Sequence, residues 1–408
     1  MAVGAGSRFP LDPVAGIRFG TACAGIRKPG RRDLVVLELA EGGCVAGRFT
    51  RNAFCAAPVT LARQHLAQAP CSVRYFLINT GNANAGTGAR GLADASHCCA
   101  ELARHAGVGT QCVLPFSTGV IGEPLPTGRL IGAIPAALAA LDENSWQAAA
   151  EGIMTTDTRP KGASRRIVCD GHQITLSGIA KGAGMIRPDM ATMLAFIATD
   201  ARVVASVLDE MLARAVADSF NCITVDGDTS TNDACMLIAT GRNEAPAIND
   251  IDEPRAVMLS AALREVCIEL AQGIIRDAEG ATKFVTVQLS GGRDEAECRR
   301  VAYAVAESPL VKTALFASDP NWGRILAAVG RAGVEALDVT QVVIRLNETV
   351  IARDGARDPG YTEECGQQLM AGEEIVIGID LGRGSAGTVL WTSDLSHDYV
   401  RINAEYRS

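Results

Sequence analysis

Short apolar runs alternate with longer amphipathic stretches along almost the whole chain. Apolar runs bounded by Gly, Asn or Pro predict strands, and apolar residues spaced three or four apart predict helices. The predicted strands cover 34–42, 44–52, 73–79, 166–168, 173–177, 222–225, 234–240, 339–346, 374–379 and 387–391. The predicted helices cover 60–67, 92–107, 127–154, 205–219, 253–276 and 295–307. This alternation predicts a mixed α/β or α+β chain, with a smaller α/β unit from residue 283 onward.

The composition is that of a folded protein of enzyme size. With 408 residues, 48% of them hydrophobic, the chain is long enough for two or three domains around a large core. Its formal net charge of −8 argues against a nucleic-acid partner. The first residues lack the apolar core of a secretory signal, and the longest apolar run, 131–141, is too short to span a bilayer. We therefore expect a soluble cytoplasmic protein with no membrane partner.

Thirteen cysteines and five histidines show no metal-binding spacing. There is no C-x-x-C pair, and only Cys98 and Cys99 are adjacent. Scattered cysteines of this kind are typical of small core residues in a reducing compartment. We therefore expect reduced cysteines and no metal cofactor.

Two patterns resemble ligand sites but lack a required feature. The glycines at 86–91 satisfy G-x-G-x-x-G, but NTGNANA separates them from the preceding strand, and no acidic residue follows at the expected distance. The acidic turn 226–233 looks like a calcium loop, but Leu237 stands at the twelfth position, where the bidentate glutamate belongs. The loop before residue 91 is better explained as one that lets backbone approach a site closely.

Thr192 is the candidate nucleophile. It follows a glycine-rich run containing Lys181 and precedes an apolar run beginning at Met193. A threonine hydroxyl needs a base, and cleavage between Ala191 and Thr192 would supply the α-amine of Thr192 itself. That amine has a reference pKa of about 8, so part of it is an unprotonated base near neutral pH. The dipeptide alone is more typical of an N-cap or a half-buried β-branched residue.

Thr118 and Gly119 are candidates for stabilising the oxyanion of an acyl-transfer intermediate. They lie between an apolar strand and a proline-bounded turn, where backbone N–H groups are available. Without other information, the same residues fit an ordinary turn at the end of a strand.

The complete set of motifs resembles the ornithine acetyltransferase family, the glutamate N-acetyltransferases of arginine biosynthesis. The resemblance runs the length of the chain, through FTRN, NTGNANA, STGVIGEPLP, MTTDT, KGAGMI, PDMATML, DAEGATK, SDPNWGRI and RINAEYRS. It implies self-cleavage between Ala191 and Thr192, with Thr192 as nucleophile and Thr118 and Gly119 as the oxyanion hole. It also implies the following substrate-binding residues: Thr155, Lys181, Thr192, Glu279, Asn403 and Ser408. The last is threonine in many relatives, and serine keeps the hydroxyl.

The resemblance also implies an architecture and a reaction. The fold would be a layered α-β-β-α core built from both cleavage products, with a smaller C-terminal α/β domain. The chain would divide into 1–191, 192–282 and 283–408, and the cleaved chains would associate as an α2β2 heterotetramer. N2-acetyl-L-ornithine would acetylate Thr192, and L-glutamate would then take the acetyl group in a ping-pong acyltransferase reaction without a cofactor. Family members differ in whether acetyl-CoA is also a donor, and the sequence does not decide this.

Other classes stay open from the residues alone. They are a self-cleaving aminopeptidase or amidohydrolase of the related fold, a nucleotide-binding oxidoreductase using the loop near Gly86, and a carboxylate-binding regulatory protein. The aminopeptidase is the nearest alternative, because the same acyl-enzyme becomes a hydrolase when water takes the acyl group.

Overall fold

The computed structural model describes residues 2–187 and 193–405, in which strands and helices alternate. In chain order the strands are β1 Ile17–Ala22, β2 Leu34–Leu39, β3 Cys44–Phe49, β4 Tyr75–Asn82, β5 Val113–Val120, β6 Lys161–Cys169, β7 His172–Lys181, β8 Leu194–Thr199, β9 Ile223–Thr224, β10 Ala234–Ala239, β11 Phe284–Gly292, β12 Val343–Leu346, β13 Thr349–Arg353, β14 Ala356–Arg357, β15 Glu374–Asp380 and β16 Ala386–Ser393. The helices are α1 Ala57–Gln68, α2 Gly88–Ala106, α3 Thr127–Ala139, α4 Trp146–Gly152, α5 Ala205–Ala217, α6 Pro254–Arg276, α7 Glu295–Ala306, α8 Pro309–Phe316, α9 Trp322–Gly330, α10 Glu363–Met370 and α11 His397–Ala404.

Two sheets pack face to face in the larger part of the molecule. The first has the order β1-β2-β4-β5, and the second has the order β3-β10-β8-β7-β6. One apolar cluster fills the space between them, with Leu37, Phe76 and Phe116 from the first sheet and Phe196 and Met236 from the second. Three of its phenylalanine rings contact one another, with centroid separations of 5.1 to 5.8 Å. This cluster joins the two sheets into one core.

The outer face of each sheet is covered by helices. Alternate residues of β2, such as Leu34 and Val36, point away from the second sheet and pack with residues of α2 and α3. On the far side, β8 and β10 residues such as Ile197 and Leu237 pack with α5 and α6. Strands buried on both faces explain the continuous apolar runs in the sequence. The layers are therefore α-β-β-α, and the predicted mixed α/β fold is confirmed.

A third sheet lies toward the C-terminus, with the order β14-β13-β12-β15-β11-β16-β9. Its core is a separate cluster formed with α7, α8 and α9. Residues 223–224 join this sheet by pairing in parallel with β16, so a short segment before residue 283 also belongs to it. The predicted division at residues 191/192 and 282/283 stays a prediction.

Two sequence predictions are wrong in detail. The single helix over 127–154 is two helices, because the chain leaves α3 after Ala139 and Asp142 exchanges backbone hydrogen bonds with Phe19 of β1. The cysteines are not all reduced, because Cys44 and Cys71 form a disulfide. These two cysteines are 27 residues apart in sequence, and only the fold brings the start of β3 against the turn after α1. Seven of the eleven free cysteines are buried, as expected for core residues.

Candidate active site

The predicted oxyanion residues lie where β4 and β5 run side by side. Thr118 and Gly119 at the end of β5 pair with Thr80 and Gly81 of β4. Gly119 has φ of 137°, and a Cβ atom there would lie 2.3 Å from the carbonyl carbon of Gly81. Only glycine fits so close an approach of two backbones. The backbone of Gly119 therefore lies directly against that of Gly81, at the end of β5 that lines a pocket.

Lys181 approaches the same turn from the second sheet. It ends β7, its side chain is 2% exposed, and its Nζ donates a hydrogen bond to Oγ1 of Thr118 over 3.3 Å. Burial lowers the pKa of this ammonium from its ordinary 10.5, against the carboxylate of Asp157. No carboxylate of the described residues forms an ion pair with Lys181, so its charge is available to a bound anion.

A buried ionic cluster beneath the pocket was missed by sequence reasoning. Lys161 Nζ donates to Asp157 Oδ1 over 2.6 Å and to Asp277 Oδ2 over 2.7 Å. Burial alone would raise the pKa of Asp157, but the ammonium groups of Lys161 and Lys181 hold it below its usual range. Asp157 also accepts the N–H groups of Thr155, over 3.0 Å, and Gly182, over 2.7 Å. It thereby fixes the two segments that carry Thr155 and Lys181.

Glu279 and Asn403 form another part of the pocket wall. The Glu279 backbone N–H donates to the carbonyl of Ala183 over 2.9 Å, which places Glu279 beside the glycine-rich segment. Its carboxylate accepts a hydrogen bond from Asn403 Nδ2 over 2.7 Å. Burial raises the pKa of Glu279 above its ordinary 4.5, while hydrogen bonds from Thr156 and Asn403 oppose the rise. The C-terminal helix α11 therefore reaches the pocket, as the resemblance implied for the tail.

These residues line one cavity of about 230 Å³. All the predicted site residues that the structure describes line it, namely Thr118, Gly119, Thr155, Lys181, Glu279 and Asn403. The predicted cleavage residues Ala191 and Thr192, and the predicted substrate-binding Ser408, lie outside the described residues. Met193, the residue after Thr192, begins the second described range and is buried.

The turn 226–233, rejected above as a calcium loop, supplies a wall that the sequence did not predict. Ser230, Thr231 and Asn232 line the cavity. Asn232 Nδ2 donates to the carbonyls of Ala83, over 2.6 Å, and Ser117, over 2.9 Å, and so ties this turn to the loop beside the oxyanion residues. The string NTGNANA and the hydroxyl-rich TSTND were the available signals. Nothing in their spacing indicated that they meet.

Asp233 is a further buried carboxyl that was missed. Its Oδ1 accepts the Met193 N–H over 2.9 Å, and the residue is 1% exposed. Burial raises the pKa of this carboxyl well above its ordinary 3.8, against the Met193 N–H, the Lys181 ammonium and Ser230.

A second pocket of about 380 Å³ adjoins the first. The two share Gly119, Val120, Thr155 and Thr156, so they open onto the same turn. Three cations line the second pocket, namely Arg27, Lys28 and Arg31. Asp33 shapes their loop by accepting the backbone N–H groups of residues 24 and 26, each over 2.6 Å.

The described ranges contain neither a cluster of metal ligands nor a membrane-spanning helix. No three His, Cys, Asp or Glu side chains in residues 2–187 and 193–405 are placed to hold a metal ion. No helix in these ranges is long and apolar enough to cross a membrane.

The fold and the lining of the pocket together define the kind of ligand that the site can hold. A four-layer α-β-β-α core carries a small cavity in which one buried ammonium, one half-buried carboxylate and a close-packed glycine turn meet. Such a lining suits a small molecule that carries both an anionic and a cationic group, held beside donors for a developing oxyanion.

Comparison with known proteins identifies the family. The ArgJ family model matches residues 18–408, and the chain belongs to this family. The chain is 59% identical to the arginine biosynthesis bifunctional protein ArgJ of Pseudomonas fluorescens and 58% identical to that of Pseudomonas syringae pv. tomato, over 408 residues and the full length of each. Members of the family are acyltransferases of arginine biosynthesis, and this chain is one of them.

Among solved structures, the chain is similar to the arginine biosynthesis bifunctional protein ArgJ of Bacillus halodurans. The identity is 36%, the match covers 50% of this chain and 95% of that chain, and the TM-score is 0.48.

Proposed function

We propose that this enzyme transfers an acetyl group from N2-acetyl-L-ornithine to L-glutamate through an acetyl-threonine intermediate on Thr192. Family membership supports the reaction class. The observation that carries the residue assignment is the single cavity shared by Thr118, Gly119, Thr155, Lys181, Glu279 and Asn403. These residues are far apart in sequence, and their convergence on one cavity supports the assignment.

The transfer takes place in two halves. In the first, the Thr192 hydroxyl attacks the acetyl carbonyl, its proton passes to the Thr192 α-amine, and the oxygen becomes an oxyanion held by Thr118 and Gly119. The C–N bond then breaks, the α-amine returns the proton to the leaving nitrogen, and ornithine departs. In the second half, the glutamate amine attacks the ester carbonyl and releases the Thr192 oxygen, which regains a proton. The α-amine of Thr192 thus acts as base and acid in turn.

The two substrates share an α-carboxylate and the nitrogen that carries the acetyl group. Lys181, the buried cation of the cavity, binds a carboxylate, because its ammonium forms no ion pair with a carboxylate of the described residues. Glu279 is the carboxylate of the same cavity and binds the side-chain ammonium of ornithine. Asn403 already donates to Glu279 and provides a neutral partner when the glutamate side chain is present. One pocket therefore accepts side chains of opposite charge.

The active enzyme forms by self-cleavage. The Thr192 hydroxyl attacks the Ala191 carbonyl, and the acyl group moves from nitrogen to oxygen, which frees the α-amine of Thr192. Water then hydrolyses the ester, giving the Ala191 carboxylate and restoring the Thr192 hydroxyl. The products 1–191 and 192–408 stay together because the core between the sheets draws residues from both, including Phe76 and Phe196. We propose an α2β2 heterotetramer in the cytoplasm, working without a metal or organic cofactor. Activity that survives exhaustive dialysis against a chelator supports the last point, and its loss with recovery on adding metal contradicts it.

Initial-velocity measurements test the two-step scheme. Rates measured against acetylornithine at several fixed glutamate concentrations give parallel double-reciprocal lines for a ping-pong reaction. Intersecting lines would indicate a ternary complex and contradict the acetyl-threonine intermediate. Net hydrolysis of acetylornithine at the same rate in the absence of glutamate would favour the aminopeptidase alternative.

A specific observation favours acetyl-CoA as an additional donor. The second pocket is larger than the first and is lined by Arg27, Lys28 and Arg31, whereas a carboxylate substrate already has Lys181. Arginine and lysine side chains are the usual partners of phosphate groups, which coenzyme A carries and acetylornithine does not. The shared residue Gly119 would place a thioester from this side at the same oxyanion turn.

Charge reversal in the basic loop tests this second donor. We expect Lys28→Glu to lower kcat/KM for acetyl-CoA by about tenfold, the size of one lost charge-assisted contact, with little change for acetylornithine. Arg32→Glu is the matched control, because Arg32 lies on the same loop but pairs with Glu151 over 2.8 Å and does not line the pocket. Equal effects of the two variants, or equal effects on both donors, would contradict the proposal.

A further inference from the structure

Strand β5 ends the first sheet, so within the described chain one of its edges is not paired with another strand. The carbonyls of Cys112, directly before β5, and Val120, at its end, accept N–H groups from residues directly before and after β4. Backbone groups of successive residues in a strand point to opposite edges. The residues at alternate positions, Pro115, Ser117 and Gly119, therefore turn their backbone groups to the free edge. Proline belongs on such an edge, because it has no N–H to donate.

Asn232 covers this free edge beside the cavity. Its Nδ2 donates to the Ser117 carbonyl over 2.9 Å and to the Ala83 carbonyl over 2.6 Å. Its Oδ1 accepts the hydroxyl of Thr231, and the residue is 6% exposed. Both amide hydrogens and the oxygen are thus engaged within the protein. Asn232 lies two residues before Ala234, the first residue of β10, so one side chain joins the first sheet to the second.

Ser117 is held from its other side as well. Its Oγ donates to Asn79 Oδ1 over 2.6 Å, so two asparagines bind the two polar groups that Ser117 turns away from β4. The next backbone donor on the free edge is the N–H of Gly119, and Gly119 lines the cavity. Only one residue separates the Ser117 carbonyl from this N–H. Fixing the direction of the carbonyl therefore limits the direction in which the N–H can point.

We propose that Asn232 is a positioning residue for the oxyanion hole, which aims the Gly119 N–H into the cavity by holding the free edge of β5. This inference rests on the proposed function, in which Gly119 stabilises the oxyanion. Asn232 lines the cavity, but both of its amide hydrogens are bound to protein carbonyls, so it acts through β5 and not on the substrate. A donor that is fixed before the reaction stabilises a developing oxyanion without reorganising.

Asn232→Asp tests the role with a side chain of the same shape. The carboxyl keeps an oxygen for Thr231 but places a second oxygen where Ser117 and Ala83 need a donor. We expect kcat to fall by about 100-fold, as for a misplaced or lost oxyanion donor. KM for acetylornithine should stay within about twofold, because the interaction is made in the transition state and not with the bound substrate.

The two half-reactions provide a readout that a substrate contact would not give. Each half passes through a tetrahedral oxyanion at the same donor, and in a ping-pong scheme kcat/KM for each substrate reports its own half. The values of kcat/KM for acetylornithine and for glutamate should therefore fall by the same factor in Asn232→Asp. A loss confined to one substrate would show that Asn232 contacts that substrate, and would overturn the proposal.

Asn84→Asp is the matched control. Asn84 is also buried, its Nδ2 donates to a carbonyl, that of Gly91, over 2.9 Å, and its Oδ1 accepts the Thr87 hydroxyl. Its amide binds the start of α2 and not β5. We expect Asn84→Asp to lower the unfolding midpoint while kcat of the folded enzyme stays within about twofold of wild type. If both variants lose kcat by the same factor, Asn232 is only a structural residue and the proposal is wrong.

The outcomes separate this inference from the proposed function. Gly119→Ala with wild-type kcat contradicts the proposed oxyanion role itself. A slow Gly119→Ala together with a fully active Asn232→Asp leaves the oxyanion role in place and overturns only the role of Asn232. Should Asn232→Asp fail to fold, Asn232→Ala removes the two donors without adding a carboxyl. Wild-type kcat in that folded variant would then overturn the proposal.

Discussion

The two buried lysines on either side of Asp157 should have separable roles. Lys161 and Lys181 are 1% and 2% exposed, and both act electrostatically on Asp157. Lys161 is bonded to two carboxylates and does not line the active-site cavity, whereas Lys181 does. We therefore predict that Lys161→Met unfolds the protein more readily, and that Lys181→Met abolishes activity in a stable protein.

The contacts of Lys161 determine how much stability Lys161→Met should lose. The substitution removes the ammonium shared by Asp157 and Asp277, and breaking a buried ion pair from one side costs about 3–5 kcal/mol. Both carboxylates keep other partners: Asp157 retains the Gly182 N–H, and Asp277 retains the N–H of Thr158. We therefore expect the lower end, about 3 kcal/mol. This is a large fraction of a typical folding free energy of about 5–15 kcal/mol.

Lys181→Met should affect activity much more than stability. Its Nζ donates one hydrogen bond of 3.3 Å, to Thr118 Oγ1, and the buried ammonium is desolvated without an ion pair among the described residues. The substitution removes one hydrogen bond and breaks no ion pair of the described residues, so stability should change by only about 1 kcal/mol. Loss of the carboxylate partner should lower kcat/KM for both substrates by at least about 100-fold, because a charge-assisted contact to a buried partner is worth about 3 kcal/mol.

Urea unfolding followed by circular dichroism measures the loss of stability in Lys161→Met. Initial rates measured on folded protein give the loss of kcat/KM in Lys181→Met. The expected pattern is a lowered unfolding midpoint for Lys161→Met and a near-normal midpoint with no measurable turnover for Lys181→Met. Equal destabilisation by the two substitutions would refute the distinction, and so would an active Lys181→Met enzyme.

Three further predictions concern the cavity wall. Because burial raises the pKa of Glu279 above 4.5, activity with acetylornithine should be present above that raised pKa and lost as the pH falls through it. Glu279→Gln should remove this acidic limb of the pH profile and lower kcat/KM for acetylornithine more than kcat/KM for glutamate. Equal losses for the two substrates would contradict the assignment. Deleting residues 403–408 removes Asn403 and should lower kcat/KM for both substrates. A loss confined to one substrate would show that the tail contacts only that substrate. Gly119→Ala should lower kcat by on the order of 10² to 10³, while Gly122→Ala, also at positive φ but with open space around its Cβ, should not.

Much of the architecture was predictable because buried strands and amphipathic helices leave a direct pattern. The run 194–198 is apolar throughout because both faces of β8 are covered, by the first sheet and by α5 and α6. Periodicity failed where tertiary contacts decide, as at residue 142, where pairing with β1 interrupts a run that is otherwise helical in composition. The Cys44–Cys71 disulfide had no sequence signal for the same reason.

The site was predictable residue by residue only where a motif carried it. Lys181, Glu279 and Asn403 were assigned from their strings, and the structure places them in one cavity. Asp157 and Asp233 were not assigned, because a carboxylate in a polar turn resembles any solvated turn until the fold buries it. The basic loop 27–32 was not assigned either. Its position beside Gly119 depends on the pairing of β4 with β5, which no local pattern indicates.

The most direct test of the account is a mass measurement on the active enzyme after brief exposure to acetylornithine without glutamate. The account predicts two chains, 1–191 and 192–408, with the acetyl group carried by the second chain on its first residue, Thr192, and lost when glutamate is added. A single full-length chain of 42.6 kDa in fully active protein would contradict it, as would an acetyl group on any other residue that is transferred to glutamate.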